Sequence, residues 1–361
     1  MNWKEIISQV FLDGGPSTCQ FAITNACNAK CEFCNFSREQ AKNDKNPKTL
    51  VKLSAGLNAI DCLYRNGVRF LIFTGGEPTL NPHLEEFMAH CRDLGMDSLI
   101  VTNGSTLSID KVNSLISNGL KEVIISVDSV DPSVSEKNRG LPGVTERITT
   151  ANRIFAQHKV GRVASVTLSK ILGDLKELPH TLERMGFEAV TFSFPLINLD
   201  SNYLGCKDSD LVNYTPEEMH RLIDEVIALK KSYRVLNPTA SMMDMHRYLN
   251  KEPQEFVCLG GFKQFYLDWE LQLWRCCNWR RPMCHVCEFN GSQIIRDGCT
   301  ECMIDCYRDA SVMQHCAVSV ADAVHAACCG RWKLSAQHIF NVRNLHSIGA
   351  VLENVHWLDT L

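Results

Sequence analysis

The sequence predicts an α/β fold: a partial (β/α)6 parallel barrel followed by a small cysteine-rich C-terminal domain. Short apolar runs alternate with helical stretches from residue 18 to about 200, and parallel strands covered by helices are expected to be continuously apolar. Six consecutive β/α units are typical of an open version of the parallel barrel, in which functional residues gather at the carboxyl ends of the strands. After about residue 255 the alternation stops and cysteine becomes frequent.

Each unit of the alternation has a strand and a helix signal. The strands are β-rich apolar runs, and the helices are bounded by glycines or begin at polar caps. Strands are predicted at 18–24, 69–76, 97–104, 122–129, 162–170 and 189–197. Helices are predicted at 49–67, 83–95, 108–119, 143–159, 175–186 and 215–233, the last opened by a Thr215–Glu218 capping box.

These elements divide the chain into five parts. An N-terminal extension covers residues 1–17, and the barrel core covers 18–210. A helical connection at 211–255 leads to the cysteine-rich domain at 256–330, and a C-terminal tail covers 331–361.

Composition excludes several classes of protein. The chain has 361 residues, 45% hydrophobic and 22% charged, as in an ordinary globular protein. A formal net charge of −4 gives no electrostatic reason to expect binding of nucleic acid or of an anionic membrane. The N-terminal sequence MNWKEIISQVFLDGG lacks a long apolar core, and no apolar run is long enough to span a bilayer. We therefore expect a cytoplasmic protein without a transmembrane segment.

The eighteen cysteines are unevenly distributed. Three lie in CNAKCEFC at 27–34, and eleven lie between Cys258 and Cys329. So many cysteines in a chain without a signal peptide favour reduced thiols that bind metal over a disulfide scaffold. The remaining four are expected to be buried small hydrophobic side chains: Cys19, Cys62, Cys91 and Cys206.

Cys27, Cys31 and Cys34 offer three thiolates in a short loop after a strand end. A tetrahedral zinc site needs four ligands, so zinc requires a distant Cys or His in addition. A [4Fe–4S] cube has four irons that each take an outside ligand. Three thiolates therefore leave one iron free to bind a reactant, which makes these three cysteines the predicted catalytic group.

With Phe33 as its aromatic residue, CNAKCEFC resembles the CxxxCxΦC signature of the radical S-adenosylmethionine (SAM) superfamily. The resemblance implies that the amino and carboxylate groups of SAM chelate the open iron. It also implies that an electron from the reduced cluster cleaves SAM and gives a 5′-deoxyadenosyl radical.

The second strand ends in TGGEP, which resembles the family motif that holds the SAM amino group. Gly75 and Gly76 allow a close approach to the backbone, and Glu77 offers a carboxylate suited to an ammonium group. A tight turn before a helix, begun by Pro78, is the alternative reading of this segment alone.

Polar residues also follow the third and fourth strands. Thr102 and Asn103 lie in VTNG, and Ser126 and Asp128 share one face of the strand in SVDS. They resemble the family's positions for the ribose and methionine parts of SAM. Arg139, in NRGLPG, is similar to an arginine that meets the SAM carboxylate.

The cysteine-rich domain resembles the auxiliary-cluster extension called SPASM or, in its shorter form, twitch. There a β-hairpin places two cysteines on one [4Fe–4S] cluster and a later CxxC completes it. Leu271 stands where the family usually has a hairpin glycine. The resemblance implies these auxiliary ligands: Cys258, Cys276, Cys299, Cys302 and Cys306.

Two alternatives for this domain stay open. One is a second auxiliary cluster. The other is a structural zinc site, because Cys284, Cys287, Cys299 and Cys302 form two CxxC pairs at zinc-ribbon spacing. Three tryptophans are expected to belong to the core of this domain: Trp269, Trp274 and Trp279.

The resemblance implies an enzyme that abstracts a hydrogen atom from its substrate and receives electrons from a protein such as flavodoxin or ferredoxin. Only about seventeen residues precede the first strand, which leaves no room for an N-terminal peptide-binding domain. We therefore expect a small organic substrate, a sugar, cyclitol or lipid precursor, in a biosynthetic oxidation or rearrangement. The alternatives are a peptide-modifying maturase, adenosyl transfer to an isoprenoid lipid, and a non-catalytic iron–sulfur carrier or sensor. Substrate contacts are expected in PLINLDSNYLG at 195–205.

Overall fold

The computed structural model describes residues 13–15, 17–34, 36, 48–195 and 209–354. Its described strands form one sheet, in the order β6-β5-β4-β3-β2-β1-β7-β8-β9. The six predicted barrel strands are present and pair in parallel with their neighbours. They are β1 (Ser17–Ala22), β2 (Val68–Thr74), β3 (Asp97–Thr102), β4 (Glu122–Val127), β5 (Gly161–Thr167) and β6 (Ala189–Ser193).

The helices that cover the barrel are α1 (Leu53–Arg65), α2 (Leu84–Asp93), α3 (Ile109–Ser117), α4 (Pro132–Arg139), α5 (Val144–Gln157) and α6 (Leu178–Arg184). Apolar side chains of the strands and helices form the main core, with members such as Phe21, Phe73 and Phe155 fully buried. The short helix α4 was not among the predicted elements. It begins at Pro132 after an Asp131 cap and ends at Arg139, whose side chain contacts Asp128 at the carboxyl end of β4.

The connection contains α7 (Pro216–Leu229) and α8 (Thr239–Leu249). The predicted capping box at the start of α7 is confirmed: Thr215 and Glu218 accept hydrogen bonds from each other's backbone N–H groups. None of the helices in the described ranges is long and apolar enough to cross a membrane.

The cysteine-rich region extends the barrel sheet. Strand β7 (Gln264–Leu267) pairs in parallel with β1, and β8 (Gln272–Trp274) and β9 (Cys284–His285) follow antiparallel. Helix α9 (Asp305–Cys328) follows, and α10 (Trp332–Ile339) and α11 (Val342–Leu352) pack against it. The expected C-terminal tail therefore contains two helices.

The hairpin between β7 and β8 forms although Leu271 replaces the usual glycine. Leu271 adopts the left-handed backbone conformation, with φ of 62°. Asp268 supports this turn, because its Oδ1 accepts hydrogen bonds of 2.9 Å from the Glu270 and Gln272 amides. Its Oδ2 accepts a bond of 2.7 Å from Trp274 Nε1. The side chain of Asp268 thus stabilises a turn that glycine would adopt without strain.

Candidate active site

The loop that carries CNAKCEFC leaves the carboxyl end of β1 and is anchored at two places. The backbone amides of Gly76 and Glu77 donate hydrogen bonds to Thr24 O and Ala26 O, at 2.9 and 2.7 Å. Beyond them, the Lys30 amide donates to Arg139 O at 2.8 Å. The end of β2 and the end of α4 therefore hold the loop from both sides.

The two glycines of TGGEP are required by this anchoring. A Cβ atom at Gly75 would lie 2.2 Å from Thr24 O, and one at Gly76 would lie 2.2 Å from Ala26 O. Gly75 also has a φ of 135°, which disfavours other residues. In the structure, the backbone that closely approaches these glycines is the cysteine loop itself.

The three thiols of the loop face a largely buried environment. Cys31 and Phe33 are buried, while Cys27 and Cys34 are half-buried. The pKa of Cys27 is raised to about 11 and that of Cys31 to about 12, mainly by burial and to a smaller extent by the neighbouring thiols. Cys27 and Cys31 are therefore neutral at pH 7 until a cation displaces their protons.

Glu77 is 1% exposed and lies at the centre of a hydrogen-bond network. Its Oε1 accepts bonds from Thr79 Oγ1 at 2.5 Å and Thr102 Oγ1 at 2.7 Å. Its Oε2 accepts a bond of 2.7 Å from the Asn103 amide. Burial raises the pKa of Glu77, and these hydrogen bonds oppose that rise. Since a carboxylate oxygen has two lone pairs, Oε2 is able to accept one further donor.

Asn103 connects the end of β3 with the cysteine loop. Its Nδ2 lies 2.9 Å from Asn28 Oδ1 and 4.0 Å from Cys27 Sγ. Asn28 in turn donates to Ser105 Oγ at 2.8 Å. Thr102 and Asn103 lie at the predicted strand end. Their hydrogen bonds connect Glu77 and the cysteine loop in one network.

Asp128 and Arg139 form a buried ion pair behind the loop. Asp128 is 0% exposed, and its Oδ1 accepts a hydrogen bond from Arg139 Nη2. Its Oδ2 accepts a bond of 2.8 Å from Asn138 Nδ2. Burial lowers the pKa of Arg139, but the charge of Asp128 and its hydrogen bond to Arg139 oppose this effect, and the pKa of Arg139 is raised. Ser126 is half-buried on β4, beside Ser165 of β5.

A second group of thiols lies in the C-terminal region. Among Cys258, Cys276, Cys299 and Cys302, each is an electrostatic neighbour of at least one other. Burial raises the pKa of Cys276 to about 12 and that of Cys302 to about 11. Of the five predicted ligands, these four are linked in this way, and Cys277 is a further electrostatic neighbour of Cys276 and Cys302.

Cys306, the fifth predicted ligand, is exposed, and its side chain is hydrogen-bonded to that of Cys277. Cys277 directly follows Cys276, and no ligand spacing in the sequence set it apart from the other thiols. Within the described ranges, no three His, Cys, Asp or Glu side chains surround a single ion position. The thiolates of a [4Fe–4S] cube sit on different irons, so they spread more widely than the ligands of one ion.

The zinc-ribbon pairs are not brought together. The Sγ of Cys287 lies 2.9 Å from that of Cys62 on α1, whereas the neighbours of Cys302 are Cys258 and Cys299. The three tryptophans lie as expected in a small core: Trp274 is buried there, and Trp269 and Trp279 pack against it. Residues 196–205 of the segment expected to contact the substrate are outside the described residues.

Comparison with known proteins identifies this arrangement. Residues 21–185 match the model of the radical SAM superfamily. Residues 21–185 therefore make up a radical SAM core. This confirms the two expected cofactors, a [4Fe–4S] cluster and SAM.

Two curated relatives show how the similarity is distributed. An S-adenosylmethionine-dependent nucleotide dehydratase of Flammeovirga pacifica is 35% identical over 118 residues, 32% of this chain and 40% of the relative. A PqqA peptide cyclase of Methylorubrum populi is 28% identical over 163 residues, 45% of this chain and 40% of the relative. The chain thus spans well under two thirds of the length of either relative.

The structural likeness extends over most of the chain. The solved structure of anSMEcpe with bound AdoMet and Cp18Cys peptide has 12% sequence identity and a TM-score of 0.56. The match covers 91% of this chain and 99% of the other. At this identity it shows a shared fold, and it confirms the expectation of a SPASM-like region after the radical SAM barrel.

The residues at the radical SAM site fit an amino acid with a free carboxylate and a free ammonium group. Arg139 is 7% exposed, and its Nε is a buried donor with no acceptor among the described residues. Glu77 Oε2, which accepts one hydrogen bond from the Asn103 amide, supplies a complementary acceptor. A buried donor without a partner costs free energy, and a ligand carboxylate would remove that cost.

Sequence reasoning missed several residues that build the radical SAM site. Thr79 and Asn28 hold the network around Glu77 and Asn103, and Asn138 holds Asp128. Asn28 lies inside CNAKCEFC and Asn138 inside NRGLPG, and Thr79 directly follows TGGEP. Their short polar side chains beside predicted ligands were the available signal.

Proposed function

We propose that this radical SAM protein cleaves SAM reductively and abstracts a hydrogen atom from a peptide substrate. The observation that carries the first part is the pair of buried, opposite charges beside the cysteine loop. Glu77 offers an acceptor to an ammonium group, and Arg139 offers an unused donor to a carboxylate. Together they suit the amino-acid end of SAM.

The cluster ligands in this proposal are Cys27, Cys31 and Cys34. When bound, the reduced [4Fe–4S] cluster supplies the electron that breaks a carbon–sulfur bond of SAM and yields the 5′-deoxyadenosyl radical. The protein's own residues fix the geometry: Asn103 orients the loop, and the buried Asp128 holds the guanidinium of Arg139 in place. Gly75 and Gly76 keep the loop close to the end of β2.

The C-terminal thiols are proposed to hold one auxiliary [4Fe–4S] cluster through Cys258, Cys276, Cys299 and Cys302. Two buried arginines support this assignment. Arg275 is 2% exposed and Arg308 is 1% exposed, and both lower the pKa of Cys258 against the larger effect of burial. Four thiolates outweigh the positive charge of an oxidised cube, and nearby guanidinium groups offset the excess.

The peptide substrate is supported by the relatives. One curated relative is named for cyclising a peptide, and the structural neighbour contains a bound peptide. These likenesses favour the maturase alternative over the small organic substrate that the sequence led us to expect. The similarity to the nucleotide dehydratase supports a small molecule as the second candidate substrate.

The test of SAM cleavage is direct. Protein reconstituted anaerobically with iron and sulfide is mixed with SAM and dithionite, and 5′-deoxyadenosine is measured by mass spectrometry. We expect its formation by the native chain and none by Cys31→Ala. Absence of the product from fully reconstituted native protein, with substrate pools present, would refute the proposal.

The substrate class is tested by deuterium transfer. An extract of cells grown in deuterium oxide is supplied to the reconstituted enzyme, with a matched portion first digested by protease. We expect deuterium in 5′-deoxyadenosine from the untreated extract and its loss after digestion. Deuterium transfer that survives the protease would exclude a peptide and favour the small-molecule candidate.

A further inference from the structure

Helix α11 buries a face of small and polar residues and exposes its large apolar side chains, the reverse of an ordinary surface helix. It buries Asn344, Ser347 and Ala350 against the rest of the protein. Its large apolar side chains point outward and are spaced by about one helical turn, so they share a face. They are Val342, Leu345, Ile348 and Leu352, exposed by 58%, 67%, 44% and 64%.

Helix α10 continues this surface. None of its residues is buried, and Trp332 at its start is 71% exposed. Phe340, which follows the helix, is 84% exposed. Scattered exposed apolar residues are ordinary, whereas this many on two consecutive helices that both pack against α9 favour an interaction surface. We call the exposed apolar residues of α10, Phe340 and α11 the C-terminal apolar face.

The charge of this region is opposite to that of the chain. Between residues 323 and 352 there is no Asp or Glu, whereas the whole chain has a net charge of −4. Arg331, Lys333 and Arg343 are all exposed. The face therefore combines an aromatic and aliphatic surface with exposed cations.

We propose that the C-terminal apolar face binds to the surface of an anionic lipid bilayer. Helices with exposed Trp, Phe and Leu beside Lys and Arg lie in the headgroup region of such membranes. A second copy docked by the same face would bring like charges together. An extended peptide would find helices there and no strand edge with which to pair.

The position of the face leaves the radical SAM site open. Helix α9 begins at Asp305, beside Ser193 at the carboxyl end of β6. Further along α9, Val318 lies against Gly14, which precedes the amino end of β1. The helix thus runs towards the end of the barrel opposite the cysteine loop, and α10 follows its C-terminus.

The test is co-sedimentation of the reconstituted full chain with vesicles. Vesicles of phosphatidylcholine with roughly one third phosphatidylglycerol are compared with pure phosphatidylcholine. We expect Phe340→Ser with Leu345→Ser to lower partitioning by roughly tenfold or more, because two large apolar side chains leave the bilayer. Lys333→Glu with Arg343→Glu should lower it roughly tenfold at low salt.

Matched controls lie elsewhere on the surface. Ile109→Ser removes another exposed apolar side chain, 58% exposed on α3, and Lys231→Glu reverses another exposed cation. Both should bind vesicles as the native chain does. The proposal is overturned if the native chain stays in the supernatant, or if these controls lose binding equally.

Two further outcomes would also overturn it. If Phe340→Ser abolishes a concentration-dependent dimer in analytical ultracentrifugation while vesicle binding is absent, a second copy covers the face. If the same variant lowers the thermal unfolding midpoint by several degrees without changing partitioning, the chain itself covers it.

Discussion

The two thiol groups of this molecule differ in number and in surroundings. The loop after β1 has three thiols, with buried Glu77 and the Asp128–Arg139 pair around them. The C-terminal group has four thiols and two buried arginines. In the proposed assignment, the first site leaves one iron without a protein ligand and has one unused donor and one available acceptor, whereas the second would supply four ligands. A cluster that binds a reactant needs an iron without a protein ligand, as three thiols would leave. An auxiliary cluster is compatible with four thiol ligands.

The largest expected effect separates the tasks of the two groups. Cys31→Ala removes one of three ligands, so we expect formation of 5′-deoxyadenosine to fall by roughly a thousandfold or more, to the background of the assay. Cys258→Ala should leave uncoupled SAM cleavage within about threefold of the native rate. Mass spectrometry of single variants under dithionite measures both. Equal loss in the two variants would break the comparison.

A smaller effect is expected on SAM affinity. Arg139→Gln removes a charge-assisted hydrogen bond worth about 1.5–3 kcal/mol, so the dissociation constant for SAM should rise by roughly 10- to 100-fold. Arg139→Lys keeps the charge and should lose less. Equilibrium dialysis against labelled SAM gives the values.

The matched control is Arg275→Gln, at the second thiol group, where SAM affinity should not change. Since Arg139→Gln leaves Asp128 buried without its ion-pair partner, circular dichroism must first show that the variant is folded. A folded Arg139→Gln protein that binds SAM with native affinity would remove Arg139 from the site.

The third prediction concerns pH and applies to both groups alike. In metal-free protein the pKa of Cys27 and Cys302 is about 11, and that of Cys31 and Cys276 is about 12. Because only the thiolate reacts, alkylation by iodoacetamide should accelerate about tenfold per pH unit from pH 7 to 10. In urea the same thiols should approach a plateau near pH 9.

Peptide mapping by mass spectrometry follows each of these thiols separately in one experiment. A native-state plateau near pH 9 at either group would show that burial does not protect it. It would also mean that the two groups differ in electrostatics as well as in number.

The smallest effect concerns the hairpin that carries the second group. Asp268→Ala removes acceptors from two amides and from Trp274, so we expect the free energy of unfolding to fall by about 1–3 kcal/mol. Asp268→Asn keeps one oxygen acceptor and should lose less. Urea titration followed by tryptophan fluorescence measures both, and unchanged stability in Asp268→Ala would mean that the turn holds without it.

Local motifs were sufficient to predict the barrel and the strand ends. Apolar runs and caps predicted six parallel strands, and the parallel register then brought TGGEP, VTNG and SVDS to one edge. Glu77 could be named from sequence because it follows a strand end in TGGEP, and Arg139 because it lies in the motif NRGLPG. Their hydrogen-bond partners, such as Asn28 and Asn138, could not be assigned, since no spacing rule predicts which polar side chains meet across loops.

The C-terminal region was less predictable because its contacts span long separations. The pairing of β7 with β1 joins residues about 245 apart in sequence, such as Cys19 and Phe265, and no local pattern encodes it. For the same reason, spacing alone could not show that Cys302 lies near Cys258 or that Cys306 is hydrogen-bonded to Cys277. Leu271 illustrates the opposite case, in which a missing glycine is compensated by the neighbouring Asp268.

The most direct test of two distinct cluster sites is iron analysis with Mössbauer spectroscopy under strict anaerobiosis. The native chain is compared with a variant in which Cys27, Cys31 and Cys34 are all replaced by Ala. We predict about half of the native iron in the variant, with the spectrum of a [4Fe–4S] cluster retained in the C-terminal group. A variant that holds no iron, or zinc in its place, would contradict the account and leave the C-terminal thiols with a structural role.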